Sequence, residues 1–596
     1  MKALCFSPND AVWLWSKPQA QVLKALKDRG DTVHYAYCDR TITDFCMSMA
    51  SSGVPFSASE EQKDAICKIC VEQSALLRGF VGVDGFPIHK YVRVEERQEA
   101  RRIGENTPID ELADFQLEGV PIGKFAYYEA MIQTKSLSAD LDETARNIYR
   151  AIFRNCYLIT LATKRMVEDL RPDIGLTYHA IYSYNRCFST ILEESGIAIW
   201  SMNASCNVAE IDTHLILSRS AHFYPHLLRE WARYRDVPVS VDEIDSASDH
   251  IVALMAGRGF GYSSSQKRSP LTVDERLGIK PGRKVLAAAL SSHDELMASQ
   301  KAGFEPAFDD VLFPTQIDWI KWLFQFARDR DDIHVVIRVH PREFRKGLDG
   351  SISPHVKLLS EAFLGRPDNV SINIPEDGVS NYELLMRADA VTVAWSSVAQ
   401  EAALLGIPAV TFFDGVIVFP IDLTELGLTS SSYRAALDRA LSSGWSLEIS
   451  RRAFRWAALL LCKTRIDVTN GARLSIRQSS LEIFGRRVLR KLRRTLLSKN
   501  DASWSLRSTP SQLAEAEKIY RLIDSRSDMF FDLDGAAGSM ASANEELQAI
   551  RAQLTRIASI FHRSTGARAV KLEAMLDHGA AVAAMLNIRG EEVGAI

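Results

Sequence analysis

The chain has 596 residues, 46% of them apolar, and a formal net charge of -4 at pH 7. That length implies at least two domains, the apolar share is that of a packed globular protein, and the near-neutral balance argues against nucleic acid as a partner. No apolar run approaches the roughly 18–20 residues that span a bilayer, and the first residues run into Pro8 and Asp10 too soon for a secretory signal.

A first α/β unit is expected over residues 1–256. A strand at 3–7 precedes a helix at 18–29, stopped by Gly30, and a second strand at 33–37. Charged helical sequence fills 60–78. The glycine-punctuated run Glu118-Gly119-Val120-Pro121-Ile122-Gly123 leads into another helix, and a long helix covers about 142–170 until Arg171-Pro172 ends it. A strand at 174–177 opens into a polar, aromatic loop at 179–185. A helix at 186–195, the stop Gly196 and a strand at 197–201 follow. Strand, loop, helix and strand in this rhythm predict a parallel sheet. His179, Tyr182, Asn185 and Arg186 stand at a strand end and are candidate contacts to substrate.

Residues 257–283, rich in Gly, Ser and Pro, read as a linker. A second α/β unit is expected over 284–445. Its first strand, 285–290, runs into Ser291-Ser292-His293-Asp294-Glu295, where Asp294 or Glu295 is a candidate base, nucleophile or ribose contact, and Ser291 a candidate donor contact. A helix at 316–328 precedes Val335-Val336-Ile337-Arg338-Val339-His340-Pro341-Arg342-Glu343, an apolar β-rich run that stops at a cationic cluster. Strands at 370–374 and 390–394 flank a helix at 381–387. The last strand ends in Trp395-Ser396-Ser397, then a helix at 398–405, Gly406 as its stop, and the strand Ile407-Pro408-Ala409-Val410.

Ligands of open parallel sheets bind at the carboxyl ends of strands, and helix N-termini favour phosphate. His340 is placed to donate a hydrogen bond to a phosphate or to protonate it as it leaves. Arg338 and Arg342 are placed to neutralise the same charge. Ser396 and Ser397 open a helix, Ser397 and Gln400 having the spacing of a capping box. Glu401, in an otherwise apolar helix, is a candidate ribose contact. These patterns predict a nucleotide site, with a nucleotide-sugar as ligand and no metal.

Residues 446–540 turn helical and basic. The stretch 481–499 holds seven Lys/Arg and one Glu around an apolar face of Phe484, Val488, Leu492 and Leu496, which fits an anionic membrane surface. In the helical tail, 541–596, Leu547, Ile550, Leu554, Ile557 and Phe561 step like two heptads, a possible seam for a homo-oligomer. Nine scattered cysteines with one lone CxxC, Cys67-Lys68-Ile69-Cys70, read as free thiols of a reducing cytoplasm rather than a zinc site.

The second unit resembles the capsule polysaccharide biosynthesis family, whose characterised members include transferases of Kdo from CMP-Kdo. The likeness runs over about 284–408, through Phe313-Pro314-Thr315-Gln316-Ile317-Asp318-Trp319, the His340-Pro341 motif, Ser380-Asn381-Tyr382-Glu383 and Trp395-Ser396-Ser397. The chain also resembles bacterial sialyltransferases in its His-Pro and Ser-Ser motifs. These resemblances imply a GT-B fold: two Rossmann-like domains facing a cleft, here with a helical C-terminal extension. They imply a cytoplasmic glycosyltransferase of surface polysaccharide, peripheral on the inner membrane face, with a glycan or glycolipid acceptor. His340, Ser396 and Ser397 would then touch the CMP phosphate. The chain departs from the pattern at Phe412-Phe413-Asp414-Gly415-Val416, where a more glycine-rich, basic loop is expected. Rival readings are a CDP-glycerol or CDP-ribitol polyol-phosphate transferase, a non-hydrolysing UDP-sugar epimerase, and a non-catalytic membrane scaffold.

Overall fold

A computed structural model describes the chain apart from residues 43, 137–140, 212, 220–221, 258–270, 305–310, 345–352, 417, 469–514, 526, 533–541 and 566–596. Its strands fall into two sheets. The first joins β1 (Lys2–Ser7), β2 (Thr32–Tyr37), β3 (Phe86–Pro87), β4 (Ile174–Tyr178), β5 (Ala198–Ala204), β6 (His214–Ser218) and β13 (Arg465–Asp467) in the order β13-β6-β5-β4-β1-β2-β3. Strands β1 to β5 pair in parallel, while β6 pairs antiparallel with both β5 and the edge strand β13. The second joins β7 (Lys284–Ala289), β8 (Ile333–Arg338), β9 (Val370–Asn373), β10 (Ala390–Val393), β11 (Ala409–Thr411) and β12 (Glu425–Leu426) in the order β12-β11-β10-β7-β8-β9, parallel throughout. The chain is therefore α/β, with two Rossmann-like units and further helices after them.

Burial explains why the apolar runs became strands. β8 reads Ile-His-Val-Val-Ile-Arg and is buried at every position, as a strand covered by helices on both faces must be. Gly406 takes φ 76° in the turn after the Val398–Leu404 helix, and a β-carbon there would stand 2.1 Å from the Trp445 ring. Only glycine allows both the left-handed backbone and that close approach.

The topology sets where a ligand can sit. In the first sheet β1 lies between β2 and β4, and in the second β7 lies between β8 and β10. Each chain path leaves its central strand on one side and later returns on the other. A crevice therefore opens at the carboxyl ends between β1 and β4, and another between β7 and β10.

The two units meet through the Ile122–Thr134 helix of the first and the His293–Ala302 helix of the second. Phe304, just beyond the latter, stacks on Phe125 and meets Tyr128 edge-on. Hydrogen bonds cross the boundary there and elsewhere: Arg342 donates to the Ile132 carbonyl at 2.5 Å, Lys135 to the Phe344 carbonyl at 3.1 Å, and the Trp231 indole to Asp422 at 2.8 Å.

Beyond residue 445 the described segments are mostly helical and pack against the two units. The Leu447–Ala458 helix is buried in the second core against the Val398–Leu404 helix. The chain then crosses back, and β13 completes the first sheet beside β6. The Ala516–Asp524 helix packs on the Trp13–Arg29 helix. The Ala543–Thr565 helix lies on the Val241–Met255 and Leu447–Ala458 helices, with Ile550, Leu554, Ile557 and Phe561 buried. Four of the five heptad residues expected to form a seam are thus packed within the chain itself, and Leu547 is half-buried. The basic stretch 481–499 lies outside the described residues. Among the described residues no helix is long and apolar enough to cross a membrane.

Candidate functional site

The carboxyl ends of β10, β7 and β8 stand side by side, so the outer two lie about 10 Å apart. They carry Ser396-Ser397, Ser291-Ser292 and His340 in that order. The sequence-predicted groups of the second unit therefore share one edge.

His340 is the second residue after β8 and is half-buried. Its Nδ1 accepts a hydrogen bond from the Arg342 backbone N–H at 3.3 Å. Burial, with Arg342 close by, pushes the imidazole down to about 4. The ring is neutral at pH 7, and because Nδ1 is an acceptor its proton sits on Nε2. His340 is therefore a neutral hydrogen-bond donor held in a single tautomer by its own turn.

The two arginines are placed otherwise than as open phosphate forks. Arg338 is buried and donates to the Asn373 side chain and, at 2.8 Å, to the Val379 carbonyl. Burial lowers its guanidinium to about 10. It braces the loop between β9 and the Asn381–Arg387 helix. Arg342 is 4% exposed and donates from Nε to Oδ2 of Asp294 at 2.8 Å, with Nη2 also 2.8 Å from that oxygen. Asp294 is 1% exposed, and its other oxygen accepts from Ser292 at 2.7 Å. Asp294 was expected at a strand end. The helix starts at His293 instead, so Asp294 lies in its first turn, turned inward. Both its oxygens are engaged, Oδ2 with Arg342 and Oδ1 with Ser292. Glu295 is the more accessible acid, with 45% of its side chain exposed and 3.7 Å from Arg342 Nη1.

Ser291 is buried and tied through its backbone to Gln316, which donates to its carbonyl and accepts from its N–H, both at 3.1 Å. The capping box expected of Ser397 and Gln400 does not form. Ser397 is exposed with no side-chain cap, Gln400 accepts from the Trp456 indole at 2.9 Å, and Ser396 Oγ accepts from the Val398 N–H at 3.4 Å. Glu401 accepts from the Tyr382 hydroxyl at 2.8 Å and from Asn381 at 3.3 Å, and burial raises its carboxyl to about 7.

In the first unit His179 has φ 50° and its Nδ1 lies 3.0 Å from Asn203 Oδ1. The rings of Trp15, Tyr178 and Tyr182 each meet it edge-on. The expected loop over 179–185 is shorter than that, because a helix begins at Ser183. Asn185 is buried in it and donates to the Tyr178 carbonyl at 2.7 Å. Arg186 points another way, with its guanidinium over Phe125 and beside Glu193, so it does not join the others. Tyr128 links the halves: its hydroxyl is buried within the fields of Tyr182, Glu295 and Arg342, burial raising its pKa first.

Sequence reading missed Gln316, Asn203 and Tyr128. Gln316 reads only as the start of a helix, Tyr128 as part of the run leading into one, and Asn203 falls past the strand expected at 197–201. The only available signal was a polar group at the end of an apolar strand or in the first turn of a helix. Among the described residues no group of three His, Cys, Asp or Glu side chains is arranged to hold a metal ion.

No protein-family model matches the chain, and no curated protein does. Among solved structures it is similar to KpsC, a beta Kdo 2,4 transferase of Thermosulfurimonas dismutans, at 12% identity over 49% of this chain and 80% of that one, with a TM-score of 0.30. It is also similar to the glycosyltransferase SnogD of Streptomyces nogalater, at 13% identity over 77% and 94%, TM-score 0.24. A third likeness is UDP-GlcNAc 2-epimerase of Neisseria meningitidis bound to UDP-GlcNAc, at 11% identity over 77% and 94%, TM-score 0.24. Likenesses this weak assign no activity or ligand to this chain.

Proposed function

We propose that the chain is a glycosyltransferase of bacterial surface-polysaccharide assembly. It takes Kdo or another acidic sugar from a CMP-linked donor and passes it to a glycan or glycolipid at the cytoplasmic membrane face. The observation that carries this reading is the state of His340: a neutral imidazole at a strand end, its Nε2–H directed by the Arg342 backbone. Such a group donates to a phosphate oxygen as negative charge develops there. Arg342 and Arg338 lie behind it, adding a positive field rather than direct forks. Ser396, Ser397 and Ser291 supply hydroxyls along the same edge, and Glu401 a carboxyl for ribose. The His-Pro and Ser-Ser motifs add the family resemblance.

Calorimetry of the full chain with CMP, CDP and UDP, beside His340→Ala, tests this. Selective CMP binding, lost in the variant while its thermal midpoint is kept, supports the reading. A preference for CDP or UDP moves it to polyol-phosphate or UDP-sugar chemistry, and no binding at all removes the transferase reading.

A further inference from the structure

Beside the site edge lies a cluster that the proposed function does not use. Glu343, His293 and His355 come together where the turn after His340 meets the starts of two helices, His293–Ala302 and His355–Phe363. The rings of His293 and His355 meet edge-on at 4.6 Å. Glu343 accepts from the His293 backbone N–H at 3.5 Å. Ser353 ties Glu343 to His355: its N–H donates to the Glu343 carbonyl at 2.9 Å, and its Oγ accepts from the His355 N–H at 3.2 Å. Glu343 and His355 are each 2% exposed.

Acid and base are close but do not pair. Glu343 Oε2, His293 Nδ1 and both ring nitrogens of His355 have no hydrogen-bond partner among the described residues. A buried group without a partner favours its uncharged form. Burial accordingly pushes the Glu343 carboxyl up to about 7 and the His355 ring down to about 4, and it lowers His293 too. Asp294 acts on all three groups and Lys135, from the first unit, on Glu343. Arg342 and Glu295 stand beyond Asp294, with Arg342 paired to it.

The cluster sits on the boundary of the two units. Arg342 and Phe344, on either side of Glu343, hold the contacts to Ile132 and Lys135 of the first unit. The helix that His293 opens packs on the 122–134 helix. Parting the units there hydrates the cluster, so each group returns to its ordinary protonation.

We propose that Glu343 and His355 form a compensated proton pair, which holds the docking of the two units steady as pH changes. Glu343 strengthens docking fully below its ordinary value of 4.5 and loses that contribution as pH rises through about 7. His355 strengthens docking fully above its ordinary value of 6.5 and loses that contribution as pH falls through about 4. Between 4.5 and 6.5 the two slopes oppose each other. The inference stands apart from the transferase reading.

Hydrogen exchange of the full chain by mass spectrometry, from about pH 5 to pH 7 and corrected for intrinsic rates, tests it. Opening of the 122–134 helix in the wild type should rise only shallowly toward acid, the share contributed by His293. Glu343→Gln keeps an acceptor for the His293 N–H and removes the acid, so opening should rise toward acid by about tenfold per pH unit. His355→Phe keeps the ring contact and removes the base, so its slope should shift the other way, with opening rising toward neutral pH. Should one variant lose its fold at neutral pH, the slope of the other against wild type still decides the sign. Equal slopes in the wild type and the variants overturn the inference. So does an equal response in β1, which would make the effect one of whole-chain unfolding rather than of docking.

Discussion

Arg342 and Asp294 form an ion pair at 2.8 Å with both side chains almost wholly out of water, and the same guanidinium reaches across to the Ile132 carbonyl of the other unit. One side chain thus fixes the start of the 293–302 helix, the turn that aims His340, and the docking of the 122–134 helix. A buried pair of this kind contributes little beyond an apolar substitute, but breaking it leaves an uncompensated charge.

Arg342→Ala should therefore destabilise the chain by about 3–5 kcal/mol, while replacing both partners, as Arg342→Met with Asp294→Leu, should cost less than the single change. Denaturant unfolding of the two variants checks this. A single-variant loss no larger than that of the double would remove the ion pair from the account.

Glu401 gives a pH signature. Its carboxyl is raised to about 7 by burial, against an ordinary value near 4.5. Between those values the folded chain holds a proton that the unfolded chain has lost. Stability therefore falls as pH rises through that window. Glu401→Gln keeps an acceptor for Tyr382 and has no proton to lose. The variant should gain on the wild type from pH 5 to pH 8, by on the order of 2 kcal/mol, as read by thermal midpoints across that range.

Glu546 should behave oppositely. It is fully buried on the 543–565 helix and accepts from Arg455, Arg451 and the Val239 N–H. Burial alone would raise it, but the two arginines more than offset that and hold it below the usual range. Its stabilisation is complete above the unfolded value near 4.5 and is lost as pH falls through the lower, folded value. Glu546→Gln should cost about 3 kcal/mol at pH 7 and progressively less in acid, by chemical unfolding at matched ionic strength.

Leu554, also buried on that helix, reports its docking. Leu554→Ala should lower stability by about 2–5 kcal/mol with no change in oligomeric state by light scattering, because its apolar partners belong to the same chain. A shift from oligomer to monomer would instead place the seam between copies.

The sequence made the second unit legible because its strands are buried on both faces. The resulting apolar runs ended in Arg338-Val339-His340-Pro341 and Trp395-Ser396-Ser397, which follow β8 and β10 at one edge of the second sheet. The helices at 316–328 and 381–387 were readable from their Thr315 and Ser380 starts. What stayed hidden depends on distant partners. Nothing local shows that Arg342 turns from a phosphate toward Asp294, or that Gln400 leaves a cap for Trp456. The antiparallel pair β6 and β13 was missed because its strands lie about 250 residues apart in the chain, and Asn203 acquires meaning only from His179 beside it.

The return of β13 to the first sheet has a practical side. Cutting the chain at the 257–283 connection, the obvious place to obtain either half by expression, would strip β6 of its neighbour and leave a bare row of backbone N–H and C=O groups on residues 214–218. The amino-terminal half made that way is a template for clumping, not a soluble module. A faithful excision has to carry 465–467 along, grafted from the far end of the polypeptide.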